Sequence, residues 1–124
     1  MINNEKLREV FDKTNGHCHF CGDAVDFQKY GLRDIGIDGA WEADHVIQRG
    51  KGGTKDISNC FPACTKCNRL RWHRTGENLR EMITLGIIAN DEIKKKSELG
   101  KKINELKQKR FEQNIKRRRR DIMA

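Results

Sequence analysis

Apolar positions keep a helical spacing at the start of this chain and lose any sustained period soon afterwards. Leu7, Val10 and Phe11 recur at the helical period, which predicts a helix from an Asn4 cap to about Thr14, with Asn15-Gly16 as its stop. From Asp23 to Gly39 three glycines and mixed polarity predict a loop with a short strand at most, a segment that could line a substrate cleft. The pattern then changes. Trp41 to Ile47 reads as a strand, Gln48 to Gly53 as a basic glycine loop, Asn59 to Phe61 as a second short strand, and Pro62 leads into a helix beginning at Cys64-Thr65-Lys66-Cys67. Asn78 to Leu85 predicts a further helix ending at Gly86. Asn90 then caps a long helix with Asp91 and Glu92 in its first turn and a thin apolar stripe of Ile93, Leu99, Ile103 and Leu106. Beyond Phe111 the stripe fades, and the run Arg117 to Arg120 is expected to fray. No internal repeat is visible.

Composition limits how much these elements can bury. Hydrophobic and charged residues each make up 35% of 124 residues, and mean hydropathy is −0.87, so one domain with a modest core is expected, helped by a staple such as a structural metal. The first twenty residues are charged throughout and the longest apolar run is only Ile87-Ile88-Ala89, so neither a secretory signal nor a membrane span is expected. The protein is expected to be soluble and intracellular. Charge is uneven. Residues 91–124 hold 13 Lys/Arg against 6 Asp/Glu, net +7, while residues 1–90 hold 13 against 12, net +1. This divides the chain into a nearly neutral body, 1–90, and a basic helical extension, 91–124. Clustered positive charge suits a polyanion such as DNA or RNA, although a solvated helix face has the same composition.

Five cysteines change the picture most. Cys18-x2-Cys21 and Cys64-x2-Cys67 are a complete thiolate set for a closed, structural tetrahedral Zn²⁺ site. In CxxC followed by Gly22, backbone amides of the tight turn can hydrogen-bond the thiolates. The 42 residues between the pairs exceed a zinc ribbon, so the intervening segment must be a structured excursion anchored at both ends. A thioredoxin-type redox pair is the competing reading, but the βαβ context is missing. Cys60 reads as a small buried residue of the second strand. His17 and His19 flank the first pair and are expected beside the ligands or at the surface rather than among them. Trp41 and Trp72 read as small-core aromatics.

Taken together, CxxC, then ADHVIxxxxGG, DISNC and CTKCNRLR resemble the HNH endonuclease family over about residues 17 to 75. The resemblance implies an α+β chain built on a small ββα-metal fold stapled by structural zinc, with flanking helices and a basic C-terminal helix. Carried over by position, His45 is the general base and Asp44 and Asn68 hold a catalytic Mg²⁺ or Mn²⁺. Asn59 is the asparagine that fixes the histidine and its loop, and Arg71 stands where a lysine often lies near the scissile phosphate. Asn68 replaces a frequent histidine, and its amide oxygen favours a hard cation; Gln48 replaces a common proline. The residue types suit the chemistry independently. A neutral imidazole takes a proton from water near neutral pH, and a carboxylate with an amide oxygen leaves a cation open positions for phosphate and water. Asp44 and His45, as strand neighbours, should point to opposite faces unless the hairpin end is distorted.

The implied activity is hydrolysis of double-stranded DNA to 5′ phosphate and 3′ hydroxyl ends, as in a restriction or phage-type nuclease. Arg49, Lys51, Arg69, Arg117, Arg118, Arg119 and Arg120 are the candidate DNA contacts. One active site cuts one strand, so double-strand cleavage would need a homodimer or two events. The competing readings are a non-catalytic zinc module that binds nucleic acid and an RNA-cleaving nuclease.

Overall fold

In a computed structural model, residues 3–47, 52–53, 56–72 and 75–114 are described. Arg49, Lys51 and the Arg117 to Arg120 run lie outside the described residues, as does His73.

Helix α1 spans Asn4–Asp12. Its cap is Asn3 rather than the expected Asn4: the Asn3 side chain accepts from the Lys6 amide at 2.9 Å, satisfying one of the orphan donors of the first turn. The helix stops where the sequence predicts. Asn15 and Gly16 both take positive φ, 52° and 73°, and the Gly16 amide returns to the Phe11 carbonyl. A Cβ at Gly16 would lie 2.5 Å from the Phe11 ring, so both the dihedral and the space require glycine there. The buried face of α1 supplies Leu7 and Val10 to a core completed by Cys18, Val25, Trp41, Cys60 and Ala63. Phe11 packs edge-on against Phe27 at 5.5 Å between ring centroids and tilted against Trp41 at 5.6 Å. Trp41 is fully buried, as expected of a core aromatic. An aromatic of this size carries a large share of a small core's apolar burial.

Strands β1 (Trp41–His45) and β2 (Cys60–Cys64) form an antiparallel two-stranded sheet, paired from Trp41↔Cys64 to His45↔Cys60. The first strand ends two residues earlier than its composition predicts. The second begins later, because Ile57–Asn59 form a single 3-10 turn before it. Pro62 lies inside β2, which a two-stranded sheet tolerates because the outer edge needs no donor; its carbonyl accepts from the His19 amide at 2.8 Å. Helix α2, Thr65–Trp72, follows directly and packs on both strands.

The C-terminal half departs from the periodicity reading. One helix, α3, runs Gly76–Lys95 through both Gly86 and Asn90, so Gly86 is not a stop and Asn90 is not a cap. The true cap is Thr75, whose hydroxyl accepts from the Asn78 amide. The position chosen to divide body from extension, 90/91, therefore falls inside one helix. The chain reverses instead at Lys96, with φ 56°, and Ser97 caps α4, Glu98–Gln113, by accepting from the Gly100 amide at 3.0 Å. Gly100 makes the reversal possible. A Cβ there would lie 2.0 Å from the Glu92 carbonyl oxygen of α3, so only glycine allows the helices to approach so closely. α4 then returns to the body: Asn114 Nδ2 donates to the Cys18 carbonyl at 2.7 Å, and Arg110 binds the Cys21 carbonyl and, at 2.6 Å, Asp23 Oδ1. No described helix is long and apolar enough to cross a membrane.

Candidate metal centre and active site

The turn after α1 and the β2–α2 junction bring four sulfurs together. Those of Cys18, Cys21, Cys64 and Cys67 all lie within 4.8 Å of one another. The sulfurs of Cys21 and Cys64 are 3.9 Å apart, close to the ~3.8 Å edge of a tetrahedron with Zn–S bonds of ~2.3 Å. The loop amides support them. Phe20 N donates to Cys18 Sγ at 3.4 Å, Asp23 N to Cys21 Sγ at 3.5 Å and Cys67 N to Cys64 Sγ at 3.4 Å. Gly22 itself, at φ 79°, donates to the Cys18 carbonyl rather than to a thiolate. Crowding sets the sulfurs' acidity: hydrogen bonding with Cys18 is the main reason that the Cys64 thiol is lowered to about 7, whereas its sulfur neighbours, Cys18 first, push the Cys67 thiol up. Four such groups release their protons readily only to a metal, and the set fits Zn²⁺. Cys60 stands apart, buried on β2, with its thiol raised by burial. His17 faces the Thr14 carbonyl through Nδ1 and is not a ligand.

Strand alternation organises the second centre. The ladder is regular through His45, so the distortion that would turn Asp44 and His45 to one side is absent from the strand. Trp41 and Ala43 face the core, leaving Glu42 and Asp44 on the face covered by α2 and His45, half-buried, on the opposite side at the strand's end. Helical spacing puts Asn68, Arg71 and Trp72 on the matching face of α2. Asn68 Nδ2 donates to Glu42 Oε2 at 2.5 Å. Arg71 binds Asp44 Oδ2 and also donates to the Val46 carbonyl at 2.8 Å. Trp72, 39% exposed and therefore no core residue, directs its indole N–H to Asp44 Oδ1 at 3.3 Å.

Asp44 is held most firmly by a residue of the Cys18 to Cys21 loop. His19 Nε2 lies 2.9 Å from Asp44 Oδ2, with both side chains wholly buried. Burial alone would push the Asp44 carboxyl up, but hydrogen bonding and charge from His19, with Arg71 and Trp72 adding to them, outweigh it and hold the group below its ordinary value. Asn59 is buried and clasps the chain just beyond His45: Oδ1 accepts from Ile47 N and Nδ2 donates to Ile47 O, both at 3.0 Å. Its own carbonyl accepts from Val46 N at 2.9 Å. Arg69 lines, with Tyr30, Arg33, Glu42 and Asn68, an open cavity of about 370 Å³ beside this face.

The structure thus brings Asp44, Arg71 and Trp72 into contact, sets Asn68 beside them on α2, and leaves His45 across the strand. Glu42 carries no signal in the sequence beyond its place two residues before Asp44, which puts it on the same face. His19 was expected beside the zinc; that it reaches Asp44 depends on the fold of the knuckle and no local pattern announces it.

The HNH endonuclease family model matches residues 18–74. A protein of Bacillus subtilis (strain 168) named "SPbeta prophage-derived putative HNH endonuclease YoqL" is 35% identical over 67 residues. That match takes in 54% of this chain and 28% of the relative, so the chain spans well under half of the relative's length. No solved structure matches the chain. With both cysteine pairs and the Asp44 face of the hairpin inside the matched span, residues 18–74 are an HNH endonuclease domain.

Proposed function

We propose that this chain is a metal-dependent DNA endonuclease of ββα-metal type that hydrolyses phosphodiesters with His45 as general base and Mg²⁺ or Mn²⁺ held by Asp44 and Asn68. One observation carries the reading. Asn68 Oδ1 is buried with no hydrogen-bond partner among the described residues, on the α2 face turned toward the Asp44 side of the strand, within an HNH domain. An orphaned carbonyl oxygen costs roughly 1–3 kcal/mol, and a hard cation is a fitting partner for it. The cation would neutralise charge developing on the phosphate and the leaving oxygen.

The chain's own residues do the rest. His45, at the end of β1, takes a proton from the attacking water, and Asn59 keeps the following backbone in place so that the imidazole is presented at the loop end of the hairpin. Arg71, already beside Asp44, provides a guanidinium for a non-bridging phosphate oxygen. Arg69, Arg49, Lys51 and the Arg117 to Arg120 run supply backbone contacts to duplex DNA, whose affinity then falls steeply with salt. The Cys18, Cys21, Cys64 and Cys67 set carries structural Zn²⁺.

Labelled duplex DNA, single-stranded DNA and RNA of one sequence, incubated with zinc-loaded protein and Mg²⁺ or Mn²⁺, separate the alternatives. Cleavage of the duplex to ends that DNA ligase rejoins is the expected result, since ligase requires 5′ phosphate and 3′ hydroxyl. Cleavage of RNA alone, or binding without cleavage of any of the three, would replace this reading with the ribonuclease or the binding module.

A further inference from the structure

Asn68 can serve a cation only through its oxygen, and an asparagine amide can lie either way round in its site. Glu42 removes that freedom. A carboxylate has only acceptor oxygens, so the amide must turn Nδ2 toward Glu42 Oε2, 2.5 Å away, and this leaves Oδ1 buried and without a partner among the described residues. With the amide reversed, two oxygens would face each other at that distance, a repulsive contact. β1 alternation supplies the geometry, because Glu42 shares with Asp44 the strand face covered by α2.

We infer that Glu42 is a positioning residue, which fixes the Asn68 amide with its oxygen presented to the catalytic cation; this rests on the metal-dependent reading above. Glu42 acts through Asn68 and not as a ligand itself. Its replacement by glutamine keeps an acceptor for Nδ2 but adds an Nε2 donor that can turn to the Asn68 oxygen, so it should weaken the site less than removal of the acceptor does. Outer partners that orient metal ligands are typically worth 10- to 100-fold in affinity.

The test is Mn²⁺ binding to the full, zinc-loaded chain, followed by the electron paramagnetic resonance of free Mn²⁺, in wild type, Glu42→Gln, Glu42→Ala, Glu42→Met and Asn68→Ala. Glu42→Met keeps the side-chain volume in case Glu42→Ala does not fold, and one zinc per chain with an unchanged melting midpoint qualifies each variant. The expected result is a 10- to 100-fold weaker site in Glu42→Ala or Glu42→Met, with Glu42→Gln between these and wild type. Wild-type affinity in the Ala and Met variants would overturn the inference, and so would a Gln variant as weak as they are, which would make Glu42 a ligand or a charge contributor. If Asn68→Ala binds as wild type does, or wild type binds no Mn²⁺, the metal-dependent reading fails and this inference with it.

Discussion

Replacing Cys64 by serine, or stripping the thiolate metal with a strong chelator, is expected to unfold the 18–74 domain rather than merely loosen it. The described core is small: Leu7, Val10, Cys18, Val25, Trp41, Cys60 and Ala63, three of which, Cys18, Cys60 and Ala63, sit within the first cysteine loop or on the strand leading to the second. Zinc binding to such sites is worth an apparent ~10–16 kcal/mol, comparable to the whole stability of a typical domain. Cys64 ends β2, Cys67 lies in the first turn of α2 and Cys18 to Cys21 form the loop beneath α4, so a lost sulfur frees three elements at once. His19 would go with them, and with it the principal support of Asp44. Circular dichroism during chelation, with released zinc followed by a colorimetric indicator, should show ellipticity and metal lost in parallel. Retention of native ellipticity in the metal-free protein would mean that the apolar core suffices.

Asp44→Ala is expected to cost stability as well as metal binding, about 3 kcal/mol. Asp44 has a wholly buried side chain that answers His19, Arg71 and Trp72 together. Truncating one partner of a buried ion pair typically costs ~3–5 kcal/mol, because the remaining charge is left without compensation. The lower end applies here, since the Arg71 side chain is 23% exposed and can turn toward water. Asp44→Asn keeps volume and an acceptor for His19 and should lose less, while still weakening the cation site. Urea unfolding of zinc-loaded protein measures the difference. A midpoint for Asp44→Ala equal to that of wild type would show that the buried network contributes nothing net.

The cysteine set and the core face of α1 are legible in the sequence, for identifiable reasons. Two CxxC pairs announce a zinc set because the chemistry fixes ligand type and number, and those four sulfurs do converge. Leu7 and Val10 were legible as core from their spacing, and Trp41 from its size and apolar character. The C-terminal helices were misread because Gly86 looks like a stop and Asn90 like a cap, yet the helix breaks at Lys96-Ser97, where Gly100 permits a close crossing that no local preference encodes. The docking of Asn114 and Arg110 on the zinc loop joins residues almost a hundred positions apart. Pairings such as His19 with Asp44 depend on the assembled fold in the same way. Glu42 was legible in principle, since period-two alternation sets it beside Asp44, but an acidic residue on a strand carries no signal until the amide it orients is seen.

The most direct test of the catalytic claim is conversion of supercoiled plasmid to nicked or linear DNA in Mg²⁺ or Mn²⁺ by wild type and by His45→Ala, both carrying one zinc per chain. His45 is half-buried at the end of β1 and contributes to neither the zinc site nor the core cluster, so its loss should spare the fold. The account predicts cleavage by wild type, abolished by EDTA, and a rate lower by about 10²- to 10⁴-fold in His45→Ala. Equal cleavage by the two proteins, or binding of the plasmid by both with no cleavage, would contradict it.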